Sequence, residues 1–180
     1  QIGMGRSGTL FAYQQENIEP DIIALAKGLG GGFPVGAVMA KAKVGDAMIP
    51  GTHGSTFGGN PLAMRSANAV LDLLLEDNFL KNLREKIIYF DNKMDALISN
   101  DKREFPVILY KKGSGMLRGF QLKENINAGD FGNISREKGL LLVGAAENTI
   151  RLLPPLNTSK EEIDQAFEIL SEVIKEIKKN

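Results

Sequence analysis

The sequence predicts an α/β protein in two parts: strands and loops up to about residue 60, then helices leading into a small α+β unit at about 101–180. Three features carry that prediction. Short apolar runs bounded by glycine and proline mark strands in the first part. Apolar residues at helical spacing mark two helices between about 62 and 99. Beyond residue 103, short β-like runs separated by turn residues end in an amphipathic, capped helix.

In chain order, "QIGMGRSG" opens as a glycine-rich loop with no start signal for a helix or strand. After Pro20, "DIIALA" (21–26) reads as a buried strand, and "VGAVMA" (35–40) as a second. "PGTHGSTFGGNP" (50–61) is a loop that hands over to a helix, with Asn60 as N-cap and Pro61 at N1. That helix, "LAMRSANAVLDLLLED", is apolar nearly all round, which predicts burial between layers. A second helix over about 79–99 carries Leu80, Leu83, Ile87, Ile88, Phe90, Met94 and Leu97. "FPVILY" (105–110) and "GMLRGFQL" (115–122) predict a strand pair turning at Lys111, Lys112 and Gly113. "LLLV" (140–143) and "NTIRLL" (148–153), joined by "GAAE", predict another. In the last helix, Thr158 with Glu161 or Ser159 with Glu162 forms a capping box, and Ile163, Ala166, Phe167, Leu170, Ile174 and Ile177 line one face. Lys175, Lys178 and Lys179 sit at the negative end of its dipole. Two or three strands without helices of their own cannot close a core, so the first part is too small to be a domain alone.

Composition narrows the function. Hydrophobic residues make up 43% of the 180, enough for a core. Lys+Arg and Asp+Glu both number 22, so no net field attracts nucleic acid or an acidic membrane. With no cysteine there is no disulfide or thiolate metal site, and His53, the single histidine, has no partners for a zinc site. No metal is expected. No apolar run is long enough to cross a bilayer, and no signal peptide is visible; both point to the cytoplasm.

The stretch "ALAKGLGGGFPVGAV" (24–38) places Lys27 between an apolar run and Gly28, Gly30, Gly31 and Gly32. The dinucleotide fingerprint begun at Gly28 would need glycine at 33, which is Phe, and no G-K-[ST] run ends a phosphate loop. A lysine at the end of a buried strand can have its amine desolvated and made nucleophilic, or it can simply snorkel to solvent. Neighbouring glycines would leave room for a flat ring, and such an amine forms a Schiff base with an aldehyde cofactor.

"PDIIALAKGLGGGFPVGAV" and "PGTHGSTFGGNPLA" resemble the class III, pyridoxal-phosphate-dependent aminotransferases. "GMGRSGTLFAYQQENIEPD", "GSGMLRGFQL" and "IRLLPPLNTSKEEIDQAFEIL" extend the resemblance over essentially the whole chain. The acetylornithine branch is the most similar; ornithine and 4-aminobutyrate branches share some of the same blocks. The resemblance implies fold type I: residues 1–77 as the C-terminal part of the large cofactor-binding domain with an interdomain helix, and 78–180 as the small C-terminal α+β domain. It implies pyridoxal 5′-phosphate as cofactor and ping-pong transfer of the terminal amino group of N2-acetyl-L-ornithine to 2-oxoglutarate, in a homodimer with active sites at the interface.

Carried over by position, the resemblance implies that Lys27 is the Schiff-base lysine and proton shuttle. Thr56 then holds the cofactor phosphate, reaching across to the other subunit's site, and Ser55 lies near the acylated substrate. Arg151, on an otherwise apolar strand, reads as a buried arginine in need of a carboxylate, and the resemblance makes that the substrate's α-carboxylate. Gln1 matches the last letter of the family's Asp-Glu-Val-Gln motif, whose aspartate contacts the ring nitrogen. Arg6 reads as structural and His53 as a loop hydrogen-bonder. Since the rest of that motif, the phosphate-binding glycine loop and the stacking aromatic are not in these residues, the chain reads as the C-terminal part of such an enzyme, inert alone.

Overall fold

A computed structural model describes residues 2–101 and 105–178. Gln1 and Lys179 lie outside the described residues. Two compact units divide the chain, Gln1–Lys81 and Asn82–Asn180.

The first unit opens with turns and a 3-10 turn at Ala12–Gln15. Polar side chains tie this segment to itself. The Gln15 amide donates to the Ser7 carbonyl at 2.6 Å, Thr9 Oγ1 donates to the Phe11 carbonyl at 2.9 Å, and Gln14 Oε1 accepts from Phe11 N–H at 2.9 Å. Strand β1 (Ile22–Leu25) pairs antiparallel with β2 (Ala37–Ala40), in register Ile22 to Ala40 through Leu25 to Ala37. Neither strand is buried: β2 is exposed along its length and Val38 is 69% exposed. The expectation of buried strands at 21–26 and 35–40 is corrected. A two-stranded ribbon has two open faces, and burial needs further strands or a packed layer.

A single turn, α1 (Ala42–Gly45), follows, and then the 50–60 loop. Helix α2 (Pro61–Leu74) starts as its sequence requires, with Asn60 Oδ1 accepting from Leu62 N–H at 3.0 Å and Ala63 N–H at 3.3 Å. Its apolar surface is not enclosed all round. Ala63, Ala67 and Leu74 are buried, while Leu62, Met64 and Leu73 are exposed, because one stripe alone meets a neighbour.

The second unit is a sheet with one buried face. Helix α3 (Phe79–Asp101) buries Leu83, Phe90, Met94 and Leu97, four of the positions its periodicity marks, whereas Ile88 is exposed. Strands β3 (Ile108–Ser114), β4 (Leu117–Leu122), β5 (Val143–Ala145) and β6 (Thr149–Leu152) form an antiparallel sheet in the order β3-β4-β6-β5. Helix α4 (Ala128–Glu137), capped by Asn127, and helix α5 (Lys160–Ile177) complete it. Ile108, Phe120, Leu122, Phe131, Ile150 and Leu170 are fully buried, and Phe90 meets Phe167 edge-on at 5.6 Å. Each such side chain contributes about 1.5–3 kcal/mol. The exposed ion pairs around it contribute about 0–1 kcal/mol each, so the core decides the stability of this unit.

Three expectations are adjusted here. Lys111, Lys112 and Gly113 do not make the hairpin turn; they lie in β3 opposite Phe120, Gly119 and Arg118, and Gly115–Met116 turns instead. The left-handed glycine at 113 (φ 88°) does not end the strand, and Arg118 donates to the carbonyls of Gly113 at 2.7 Å and Gly115 at 3.1 Å. Residues 140–142 are not strand; β5 begins at Val143 and the link is 146–148. Of the two capping boxes, Ser159 with Glu162 forms, with Glu162 N–H donating to Ser159 Oγ at 3.1 Å and Ser159 N–H to Glu162 Oε2 at 2.7 Å.

One buried carboxylate joins three elements. Asp101, 3% exposed at the end of α3, accepts from Val107 N–H at 2.8 Å and Ile108 N–H at 2.6 Å through Oδ2. Lys178, from the end of α5, stands 2.8 Å from Oδ1 as an ion pair without hydrogen-bond alignment.

Candidate functional site

Lys27 opens a 3-10 turn, Lys27–Gly30, directly after β1. Its backbone is left-handed, φ 50°, a region a side chain with Cβ enters at a cost. Such strain persists where the surroundings over-determine it, and they do so here. Leu29 N–H donates to the Ala26 carbonyl at 3.1 Å, Gly31 N–H to Gly28 at 3.3 Å, and Ser66 Oγ of α2 to the Gly30 carbonyl at 2.7 Å.

Two of the glycines after Lys27, Gly30 and Gly31, are packing positions. A Cβ at Gly30 would stand 2.8 Å from Val35 Cγ1, and one at Gly31 (φ 58°) 2.8 Å from Val70 Cγ2 of α2. A Cβ at Gly28 would touch Met4 at 3.4 Å. At Gly30 and Gly31 the expected space for a ring is already taken by Val35 and Val70, whereas Gly28 makes ordinary contact with Met4 and Gly32 has nothing within 4 Å. Small residues on α2 complete this close approach, since Ala63, Ser66 and Ala67 face the same way. Ser66 and the left-handed Lys27 are the features that sequence reading missed. The signal for Ser66 was that stripe of small residues at helical spacing opposite a run of glycines.

Lys27 is exposed, as the snorkelling alternative has it, because among the described residues no layer covers β1. Among the described residues no group hydrogen-bonds or pairs with its amine. A cavity of about 220 Å³ adjoins its strand, lined by Gly3, Met4, Tyr13, Leu25, Ala26 and Gly28 among others. Arg6, half-buried in the opening segment, is held below its ordinary pKa by burial.

Ser55 and Thr56 lie exposed on the 50–60 loop, and neither hydroxyl has a partner among the described residues. Phe57 beside them is 83% exposed. His53 is exposed too, and its ring makes no hydrogen bond among the described residues, which corrects the loop-bonding expectation. Gln1, a candidate cofactor contact, is outside the described residues.

Arg151 belongs to the second unit, on β6, opposite Gly119 of β4 and Val143 of β5. It is half-buried rather than buried, since Ile150 and Leu152 take the core face and the alternation of the strand turns Arg151 to the other. No described carboxylate pairs with it. Lys112, in the same cross-strand row, is already engaged by Glu147 at 2.8 Å, which raises its pKa.

The first unit carries a lysine turn braced by a helix, and the second carries a strand arginine with no described carboxylate partner. Residues 1–174 match the family described as aminotransferase class III, and the chain belongs to that family. Acetylornithine aminotransferase of Oceanobacillus iheyensis is 43% identical over 177 residues, covering 98% of this chain and 43% of that protein. The enzyme of that name in Clostridium acetobutylicum is 45% identical over 176 residues, covering 97% and 44%. Among solved structures, Plasmodium falciparum ornithine δ-aminotransferase is similar at TM-score 0.90 and 32% identity, over 100% of this chain and 45% of that one. Acetylornithine aminotransferase of Elizabethkingia anophelis is similar at TM-score 0.88 and 34% identity, over 98% and 44%. The fold is therefore that part of the fold-type I aminotransferases, and the chain spans less than half the length of these relatives.

Proposed function

We propose that the whole protein is a pyridoxal 5′-phosphate-dependent aminotransferase that moves the terminal amino group of N2-acetyl-L-ornithine to 2-oxoglutarate, as a cytoplasmic homodimer. The observation that carries this is the Lys27 amine, held on a strained, helix-braced turn and engaged by no described group. An amine so placed is available to an aldehyde, and the unengaged hydroxyl of Thr56 is available to a phosphate oxygen, so the residues fit the cofactor. When bound, the cofactor supplies that aldehyde and a ring that accepts the electron pair left when a substrate carbon loses its proton.

The chain's own residues supply the rest. Lys27 Nζ receives the proton from the amine-bearing carbon and returns it to the product side. Arg151 binds an α-carboxylate through its guanidinium fork, which fixes the substrate's orientation. Ser55 lies against the acylated end, Thr56 holds phosphate in the neighbouring subunit's site, and Gln1 contacts the cofactor. The exposure of Phe57, next to Thr56 on the 50–60 loop, supports a second subunit packing at that loop.

Borohydride reduction of the whole, cofactor-loaded protein followed by peptide mapping tests the reading. The label is expected on Lys27; a label on another lysine, or none, overturns it. Free ornithine is the second donor to consider, because ornithine aminotransferases are among the similar structures. Relative kcat/KM on acetylated and free ornithine decides between them, with the acetylated donor expected to be preferred.

A further inference from the structure

Arg151 stands on a strand of four residues whose outer neighbour, β5, has three. A slip of one residue would turn Arg151 toward the core face, which the burial of Ile150 and Leu152 opposes. The turn that feeds this strand carries a second fastening. Glu147 and Asn148 both have left-handed backbones, φ 57° and 52°. Asparagine tolerates that region, and here its side chain also makes three hydrogen bonds, with both amide hydrogens used.

Asn148 Oδ1 accepts from Ala128 N–H, the first residue of α4, at 3.1 Å. Its Nδ2 donates to the carbonyl of Lys123 at 3.0 Å and to that of Ile126 at 2.7 Å. Two carbonyls on one side and an N–H on the other fix which amide atom faces which. The Asn148 carbonyl accepts from Leu122 N–H at 3.1 Å, and the β4–β6 pairing runs on from there, Gln121 to Thr149 and Gly119 to Arg151. The β4–α4 connection is thus clipped to the residue just before β6.

We infer that Asn148 is a positioning residue for the substrate carboxylate: by fastening the start of β6 to residues 123–128, it sets the register at which Arg151 meets its ligand. This rests on the reading of Arg151 as the carboxylate holder. A role in stability alone would reduce the amount of folded protein and leave the affinity of the folded fraction unchanged.

The test compares variants of the whole, cofactor-loaded protein. Asn148→Gly keeps the left-handed backbone without strain and deletes the clip. Asn148→Asp keeps the shape but sets an oxygen against the carbonyls of Lys123 and Ile126. Both are expected to raise KM for 2-oxoglutarate about tenfold with kcat within about twofold, and Arg151→Ala to raise KM at least as much. An unchanged KM in Asn148→Gly, beside a raised KM in Arg151→Ala, overturns the inference and spares the reading of Arg151. An unchanged KM in Arg151→Ala removes both. If the Asp variant does not fold, the Gly variant decides. Its amides at Thr149–Leu152 are expected to exchange several-fold faster than in the parent protein at equal melting temperature, and unchanged exchange overturns the clip whatever the activity.

Discussion

Ser66 on α2 donates its hydroxyl hydrogen to the carbonyl of Gly30 across 2.7 Å, at a sequence separation of 36 residues. That bond joins the helix to the end of the turn that Lys27 begins. Gly31, where a Cβ would stand 2.8 Å from Val70 of α2, lets the two backbones come close enough for it to form. Glycine content, small helical residues and the placement of the lysine are therefore one arrangement rather than three.

Ser66→Ala removes the only side-chain hydrogen bond described for the Lys27–Gly30 turn. The expected loss is about 1 kcal/mol, the ordinary net value of such a bond, with the Gly30 carbonyl left to find water. Reductive trapping of Lys27 in the whole protein is expected to slow, because the turn gains freedom. An unchanged trapping rate together with an unchanged melting temperature would show that the glycine packing holds the turn without it.

Asp101→Ala strips two buried N–H groups of their acceptor and Lys178 of its ion partner. A loss of about 3 kcal/mol or more is expected, since removing one side of a buried charge network leaves the other unpaid. The urea midpoint of the second unit reports it. Asp101→Asn is expected to fall between, because it keeps an acceptor but loses the charge.

The Tyr89–Lys93–Asp164 cluster gives stability a pH signature. Hydrogen bonds from Lys93 at 2.6 Å and Tyr89 at 2.5 Å hold the Asp164 carboxyl below its ordinary pKa. The bond to Asp164 in turn raises both Lys93 and Tyr89. A lowered carboxylate contributes fully above the ordinary Asp value, about 3.9, and that contribution is lost as pH falls through the folded value. A raised lysine or tyrosine contributes fully below its ordinary value, about 10, and that is lost as pH rises through the folded value. Asp164→Asn is expected to flatten both limbs of the curve of urea midpoint against pH. All three groups reach solvent, so added salt is expected to shrink the difference.

Local chemistry was legible in the sequence, and long-range closure was not. Asn60 with Pro61, and Ser159 with Glu162, name their own helix starts because a cap is a contact between residues two or three apart. The stripe of α3 was legible for the same reason, in its period. Helix α4 was missed although Asn127 caps it, because Gly129 and Gly132 in its first turns weaken the helical signal. The hairpin turn was placed too early at Lys111–Gly113, since nothing local shows that Arg118 draws in the Gly113 carbonyl or that Asp91 and Asp95 take Lys111. Lys27, Ser55, Thr56 and Arg151 are candidates from motif alone. The exposure of Lys27 and its left-handed backbone do not come from motif, because both depend on what packs around β1 and α2.

The strain at Lys27 makes a sharper prediction than its chemistry does. Both Lys27→Ala and Lys27→Gly delete the amine, so both are expected to abolish cofactor trapping at this position. They differ in the backbone alone. At φ 50° alanine keeps the clash between Cβ and the following carbonyl, whereas glycine has no Cβ to clash. If the left-handed turn is retained in solution, the glycine variant is expected to be more stable than the alanine variant by about 1 kcal/mol, even though glycine loses more entropy on folding. Melting of the two proteins without cofactor measures that difference directly. An alanine variant as stable as the glycine one would mean that the turn relaxes to an ordinary backbone once the lysine is gone. The left-handed conformation would then be a property of the lysine side chain and not of the frame that Gly31, Val70 and Ser66 build around it.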